Sequence, residues 1–158
     1  MTATYEKIET QTLASAAASV TFSSIPQTYT DLVIVFSGSA TSSNTLFYRF
    51  NGDSSAIYSD TYIYADGSAG SGRHTSQTLI YGAGVNTSQC TQIINVMNYT
   101  NTTKHKTTLL RGNANGFGAT VAFAGLWRST SAINSIQIYA GSTFASGSTF
   151  TIYGIKAE

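Results

Sequence analysis

Leu32-Val33-Ile34-Val35-Phe36 carries no charge, and it lies between Thr30-Asp31 on one side and Ser37-Gly38-Ser39 on the other. Five residues are too few for a buried helix, and β-branched and aromatic side chains suit a pleated strand. Both faces of this strand are apolar, so it needs cover twice. One layer is a facing sheet. The other is a further layer, a long loop or a neighbouring subunit, which favours an oligomer.

Working outward, the same reading extends to both ends of the chain. Short alternating or briefly apolar runs recur between clusters of Gly, Ser and Asn. The runs are 5–12, 19–23, 31–37, 45–51, 57–64, 77–81, 92–99, 107–111, 120–127, 135–139 and 149–155. A repeat of roughly ten residues with turn chemistry at each gap is the signature of an all-β sandwich or barrel. The strongest helix candidate, Leu13 to Ser19, is too short and runs into β-branched residues.

Phe50-Asn51-Gly52-Asp53 predicts a tight hairpin, because Asn-Gly accepts the positive φ angles such a turn needs. Gly112-Asn-Ala-Asn-Gly-Phe-Gly118 predicts a second, glycine-rich one. Residues 66–76, Asp-Gly-Ser-Ala-Gly-Ser-Gly-Arg-His-Thr-Ser, read as the longest flexible connection. Alternation nominates a core of Val121, Phe123, Trp127, Ile136, Ile138, Phe150 and Ile152. No linker divides the chain, so residues 13–158 are expected to form a single domain behind an N-terminal arm at 1–12.

Composition narrows the function classes. Of 158 residues only 9% are charged, against about 25% in an average soluble protein. Ten Tyr, eight Phe and one Trp nevertheless argue for a folded chain. A net charge of +1, with one short basic run at Lys104-His105-Lys106, predicts no nucleic-acid partner. Nothing approaches the ~18 apolar residues of a membrane-spanning helix, so no membrane partner is expected. The start lacks a basic region followed by an apolar run, which predicts synthesis in a cytoplasm without a signal peptide. Cys90, the lone cysteine, reads as a small core residue.

Catalytic signals are weak. His74 and His105 have no second histidine or carboxylate at metal-ligand spacing, and both read as solvated loop residues. Asp53, Asp60 and Asp66 fall near one hairpin, but Asp53 and Asp66 occupy ordinary turn positions. No serine sits in a G-x-S-x-G elbow. The expectation is a non-enzymatic protein with no cofactor and no metal.

The aromatics say more. Tyr58, Tyr62 and Tyr64 project from one face of a strand. They suit a platform for sugar rings, helped by Arg73 and His74 from the following loop, or else a protein interface. In the arm, Tyr5 and Ile8 are apolar anchors among charges.

Two stretches carry a family resemblance. Val20-Thr-Phe-Ser-Ser-Ile-Pro-Gln-Thr-Tyr-Thr-Asp-Leu32 is a strand, a tight corner and an apolar strand. Phe144-Ala-Ser-Gly-Ser-Thr-Phe-Thr-Ile-Tyr-Gly-Ile-Lys156 follows the upstream run Trp127-Arg-Ser-Thr-Ser-Ala-Ile-Asn-Ser-Ile-Gln-Ile138. Together they resemble the framing strands of small jelly-roll virion proteins of tailed bacteriophages. The resemblance implies an antiparallel β-sandwich of jelly-roll type on a virion. It further implies a capsid decoration or cement protein, a homotrimer bound to the major capsid protein. The alternative it implies is a carbohydrate- or receptor-binding module of a tail fibre, with a host-surface glycan as partner. It identifies no binding residue.

Overall fold

The computed structural model describes residues 4–114 and 119–156. Its strands in the first half are β1 (Tyr5–Thr12), β2 (Ala17–Phe22), β3 (Asp31–Gly38), β4 (Asn44–Phe50), β5 (Tyr58–Ala65) and β6 (Ala69–Gln77). In the second half they are β7 (Ile80–Val85), β8 (Cys90–Met97), β9 (Lys106–Ala114), β10 (Ala119–Trp127), β11 (Ile136–Phe144) and β12 (Thr149–Ile155). There is no helix among the described residues, and the helix candidate at 13–19 runs into β2.

The strands form two antiparallel sheets. The larger has eight strands in the order β1-β12-β3-β8-β9-β10-β5-β6, and the smaller has four in the order β2-β11-β4-β7. The chain repeatedly crosses between them: β2, β4, β7 and β11 lie in one sheet while β3, β5, β8 and β12 lie in the other. Such crossings wrap two sheets around one core as a jelly roll. The fold is therefore the antiparallel β-sandwich expected from the strand spacing.

One core fills the space between the sheets. Leu32, Ile34, Phe36, Leu46, Tyr48, Phe50, Ile136, Ile138, Phe150 and Ile152 are fully buried there. Phe36, Phe144 and Phe150 pack as an aromatic trio with centroids 4.9–5.3 Å apart. The Asn51-Gly52 turn has the positive φ angles expected, 54° and 67°, but it is no hairpin: β4 and β5 lie in different sheets, so the turn starts a crossing between them. Residues 115–118 of the second hairpin loop lie outside the described residues.

Polar side chains protect the edge of the smaller sheet. The Gln92 amide reaches from β8 and pairs with both the N–H and the C=O of Ala83 on β7, at 3.1 and 3.2 Å. Asp60 Oδ2 accepts the Tyr81 N–H at 3.3 Å. Both side chains do the hydrogen bonding a missing neighbour strand would do.

Three expectations change. First, residues 66–76 are not a flexible connection, because β6 occupies 69–77 as the outer strand of the larger sheet. Second, of the two readings of the start of the chain, a strand at 5–12 and a separate arm at 1–12, residues Tyr5 to Thr12 are strand β1, paired along its length with β12 and so part of the sandwich. Ile8 packs against the core, whereas Tyr5 is 56% exposed. Third, Lys106 is not part of a solvated basic run. It is fully buried beside Trp127, and its ammonium donates to the carbonyls of Lys104 and Thr130.

Candidate functional site: an aromatic groove at one edge of the sandwich

The eight-stranded sheet is wider than the four-stranded sheet, so part of its inner face lies beyond the core. There β5, β6 and β10 meet the β7 edge. The pattern along β5 decides what this region contains. Tyr58, Asp60, Tyr62 and Tyr64 point to the inner face, while Thr61, Ile63 and Ala65 point outward.

The three tyrosines share a face but not an environment. Tyr58 is fully buried, stacked on Trp127 at 6.1 Å, and its hydroxyl donates to the Phe50 and Asp53 carbonyls. It is a core residue, so it does not join a binding platform. Burial pushes its phenol up to about 12. Tyr62 is half-buried and Tyr64 is 38% exposed.

Tyr62 and Tyr64 stand opposite Gly72 and Gly70 on β6. A Cβ on Gly70 would lie 2.3 Å from Tyr64 Cζ, and one on Gly72 would lie 2.5 Å from the Tyr62 hydroxyl oxygen. Both rings therefore lie down across the backbone of the edge strand, where only glycine leaves room. Their centroids are 6.4 Å apart and their planes differ by 30°. They tile side by side.

Arg73 and His74 do not act together. Strand alternation sends exposed Arg73 to the outer face, opposite Thr61, and His74 to the inner face, opposite Asp60. His74 is not solvated loop either. Its ring sits between Tyr81 at 3.9 Å and Tyr62 at 5.3 Å, and Tyr62 in turn stacks on Phe123 at 5.0 Å. His74 Nδ1 is 2.7 Å from Oδ1 of Asp60, whose side chain is wholly buried.

Tyr81 is the residue the sequence reading missed, and Asp60, weighed only as a possible acid beside Asp53 and Asp66, is the partner of His74. The alternation of β5 puts Asp60 among the inner tyrosines, which is the signal that would have found it. Tyr81 comes from the other sheet, and nothing local in the sequence brings it to His74.

Beside this stack lies a groove of about 240 Å³ lined by Tyr62, Tyr64, Asp66, Val121, Phe123 and Gly84, among others. Asp66 Oδ1 accepts the N–H and hydroxyl of Ser68 in the β5–β6 turn. Among the described residues no cluster of His, Cys, Asp and Glu could hold a metal ion. Cys90 is buried, and burial pushes its thiol up, away from the reactive thiolate.

No protein-family model and no curated protein matches this chain. Among solved structures it is similar to an exo-inulinase from Aspergillus awamori, at 16% identity and a TM-score of 0.49 over 97% of this chain. The chain spans only 29% of that enzyme's length. A tetrameric galectin from the ball sponge Cinachyrella sp. is 12% identical over 87% of this chain and 99% of its own, with a TM-score of 0.37. The coat protein of Tobacco streak virus is 10% identical over 98% of this chain and 87% of its own, with a TM-score of 0.24. At such identities no ligand or activity transfers from these proteins.

Proposed function

We propose that this chain is a non-enzymatic structural protein of a tailed-phage virion, a capsid decoration or cement subunit that works by burying its broad sheet face. The observation that carries the reading is the outer face of the eight-stranded sheet. Strand register runs one row through Thr10, Thr151, Val35, Ile93, Arg111, Ala122, Ile63 and Ser71. The next row runs through Lys7, Tyr153, Val33, Asn95, Leu109, Ala124, Thr61 and Arg73.

In those rows the charges are Lys7 and Arg73 at the two ends and Arg111 between them. Ile63 is 61% and Leu109 39% exposed on this face. Eight strands at ~4.8 Å spacing and about seven residues at ~3.3 Å each make a face of about 900 Å². A stable protein interface takes ~800 Å² from each partner, so one such face suffices. The occupant of this face is a neighbouring copy of the chain in a homotrimer, and the major capsid protein meets another part of the surface. Of the outward residues of the doubly apolar β3 strand, half-buried Val35 can add to this contact, whereas Val33 is already buried within the chain.

Few ionisable groups suit a particle that meets changing salt and pH, since little of the surface depends on screened charge. The test is the mass of the purified protein in solution, followed by co-sedimentation with empty capsids that lack it. A trimer that pellets with capsids supports the reading. A species that ignores capsids and adsorbs to host cells replaces it with the tail-fibre module.

A further inference from the structure

We infer that the groove beside Tyr62 and Tyr64 binds the ring of a neutral saccharide, on a capsid or a fibre alike. Tyr64 has one ring face seated on the Gly70 backbone and remains 38% exposed. Tyr62 continues the surface and is held by Phe123 and His74 on either side. A ring with one seated face and one open face is a ready stacking surface, because little side-chain freedom is left to lose on binding.

The lining discriminates between classes of ligand. A quaternary ammonium needs rings that face it from several sides. Here the planes differ by only 30° and the rings lie side by side, so they cannot enclose a cation. A nucleotide needs basic groups for its phosphate, and among the described residues that line the groove the one charged side chain is the Asp66 carboxylate. The same carboxylate repels acidic sugars.

A neutral sugar matches what remains. Its apolar ring face lies on Tyr64, with Tyr62 at its side, while its hydroxyls meet the tyrosine hydroxyls and Asp66 Oδ2. The hydrogen bonds to Ser68 use Oδ1 and leave Oδ2 to accept. A volume of about 240 Å³ falls below the ~300 Å³ at which drug-sized pockets begin. The groove therefore takes one ring, with further rings of an oligosaccharide running out over exposed Tyr64.

The experiment is calorimetric titration of the full chain with methyl glycosides of glucose, galactose and mannose and with their trisaccharides. Choline, adenosine monophosphate and a galacturonate trimer are run beside them. We expect a neutral glycan to bind with a Kd of about 1 mM or tighter. Tyr64→Ala weakens it about tenfold or more through loss of the platform, with circular dichroism unchanged. Gly70→Ala keeps the tyrosine but lifts its ring, and weakens binding likewise. Three results overturn the inference: no neutral glycan binding at about 10 mM, unchanged affinity in Tyr64→Ala, or binding only of choline, nucleotide or acidic sugar.

Discussion

Asp60 shows how much one side chain can be asked to do. Its carboxylate is wholly buried, yet it ties β6 to β5 through His74 and β5 to the β7 edge through the Tyr81 N–H. A buried carboxylate is tolerated only when its acceptor sites are filled. Replacing His74 with Ala removes one partner and the ring between Tyr62 and Tyr81. His74 is partly exposed, so water enters and the cost is about 2 kcal/mol, less than for a sealed ion pair. Urea denaturation measures it, and an unchanged midpoint would mean that the pair is ornamental. Tyr58 governs a different property. Its phenol ionises near 10 in an unfolded chain but only at about 12 in the folded one. Stability is therefore complete below about pH 10 and falls as pH rises toward about 12. Burial raises Tyr99 in the same direction. Tyr58→Phe is expected to make this alkaline decline shallower, while losing about 1 kcal/mol at neutral pH with its hydroxyl bonds. Thermal melts at pH 8 and 11 compare the two proteins.

At the level of elements, the outer strands carry the unexpected features. β1 lies along β12 through a threonine ladder, Thr10 with Thr151 and Thr12 with Thr149, and through the Glu6–Lys156 pair. Its Gln11 amide also donates to the Thr21 carbonyl on β2, joining the two sheets along that side. Removing residues 1–12 therefore strips a strand rather than an arm. The truncated chain is expected to expose the β12 edge and self-associate nonspecifically, which size-exclusion chromatography detects. If it elutes as a folded species of unchanged size, β1 is dispensable to the sheet. β6 was the strand least visible in sequence. Ala69-Gly-Ser-Gly-Arg-His reads as a loop because glycine is depleted in strands. Those glycines are present because the Tyr64 and Tyr62 rings lie across them, a reason that resides on the neighbouring strand.

For the molecule as a whole, the distribution of apolar surface separates two roles. The core between the sheets holds the fold, while the outward rows of the large sheet remain available for partners. Ile63 and Leu109 are exposed, so changing both to Lys costs the fold under about 0.5 kcal/mol each. The same change sets two charges into the proposed interface, where unpaired charge is expensive to desolvate. The double variant is expected to keep its melting temperature and to sediment as a monomer. If it retains the native assembly state, the outer face is not the interface.

The sequence by itself determined the class of fold. Period-two alternation and the Asn51-Gly52 turn are local properties, so strands such as 5–12 and 149–155, the turn itself and most of the core could be read directly, whereas the expected hairpin there is a crossing between sheets. It also identified Tyr62, Tyr64 and His74 as residues worth following. Only the tertiary structure decided that Tyr58 belongs to the core, that Arg73 and His74 face opposite ways, and that Asp60 and Tyr81 complete the cluster. The physical reason is that burial and partnership depend on where the second sheet ends. That boundary is set by pairings between strands distant along the chain, such as β2 with β11 and β3 with β12, which local alternation does not specify.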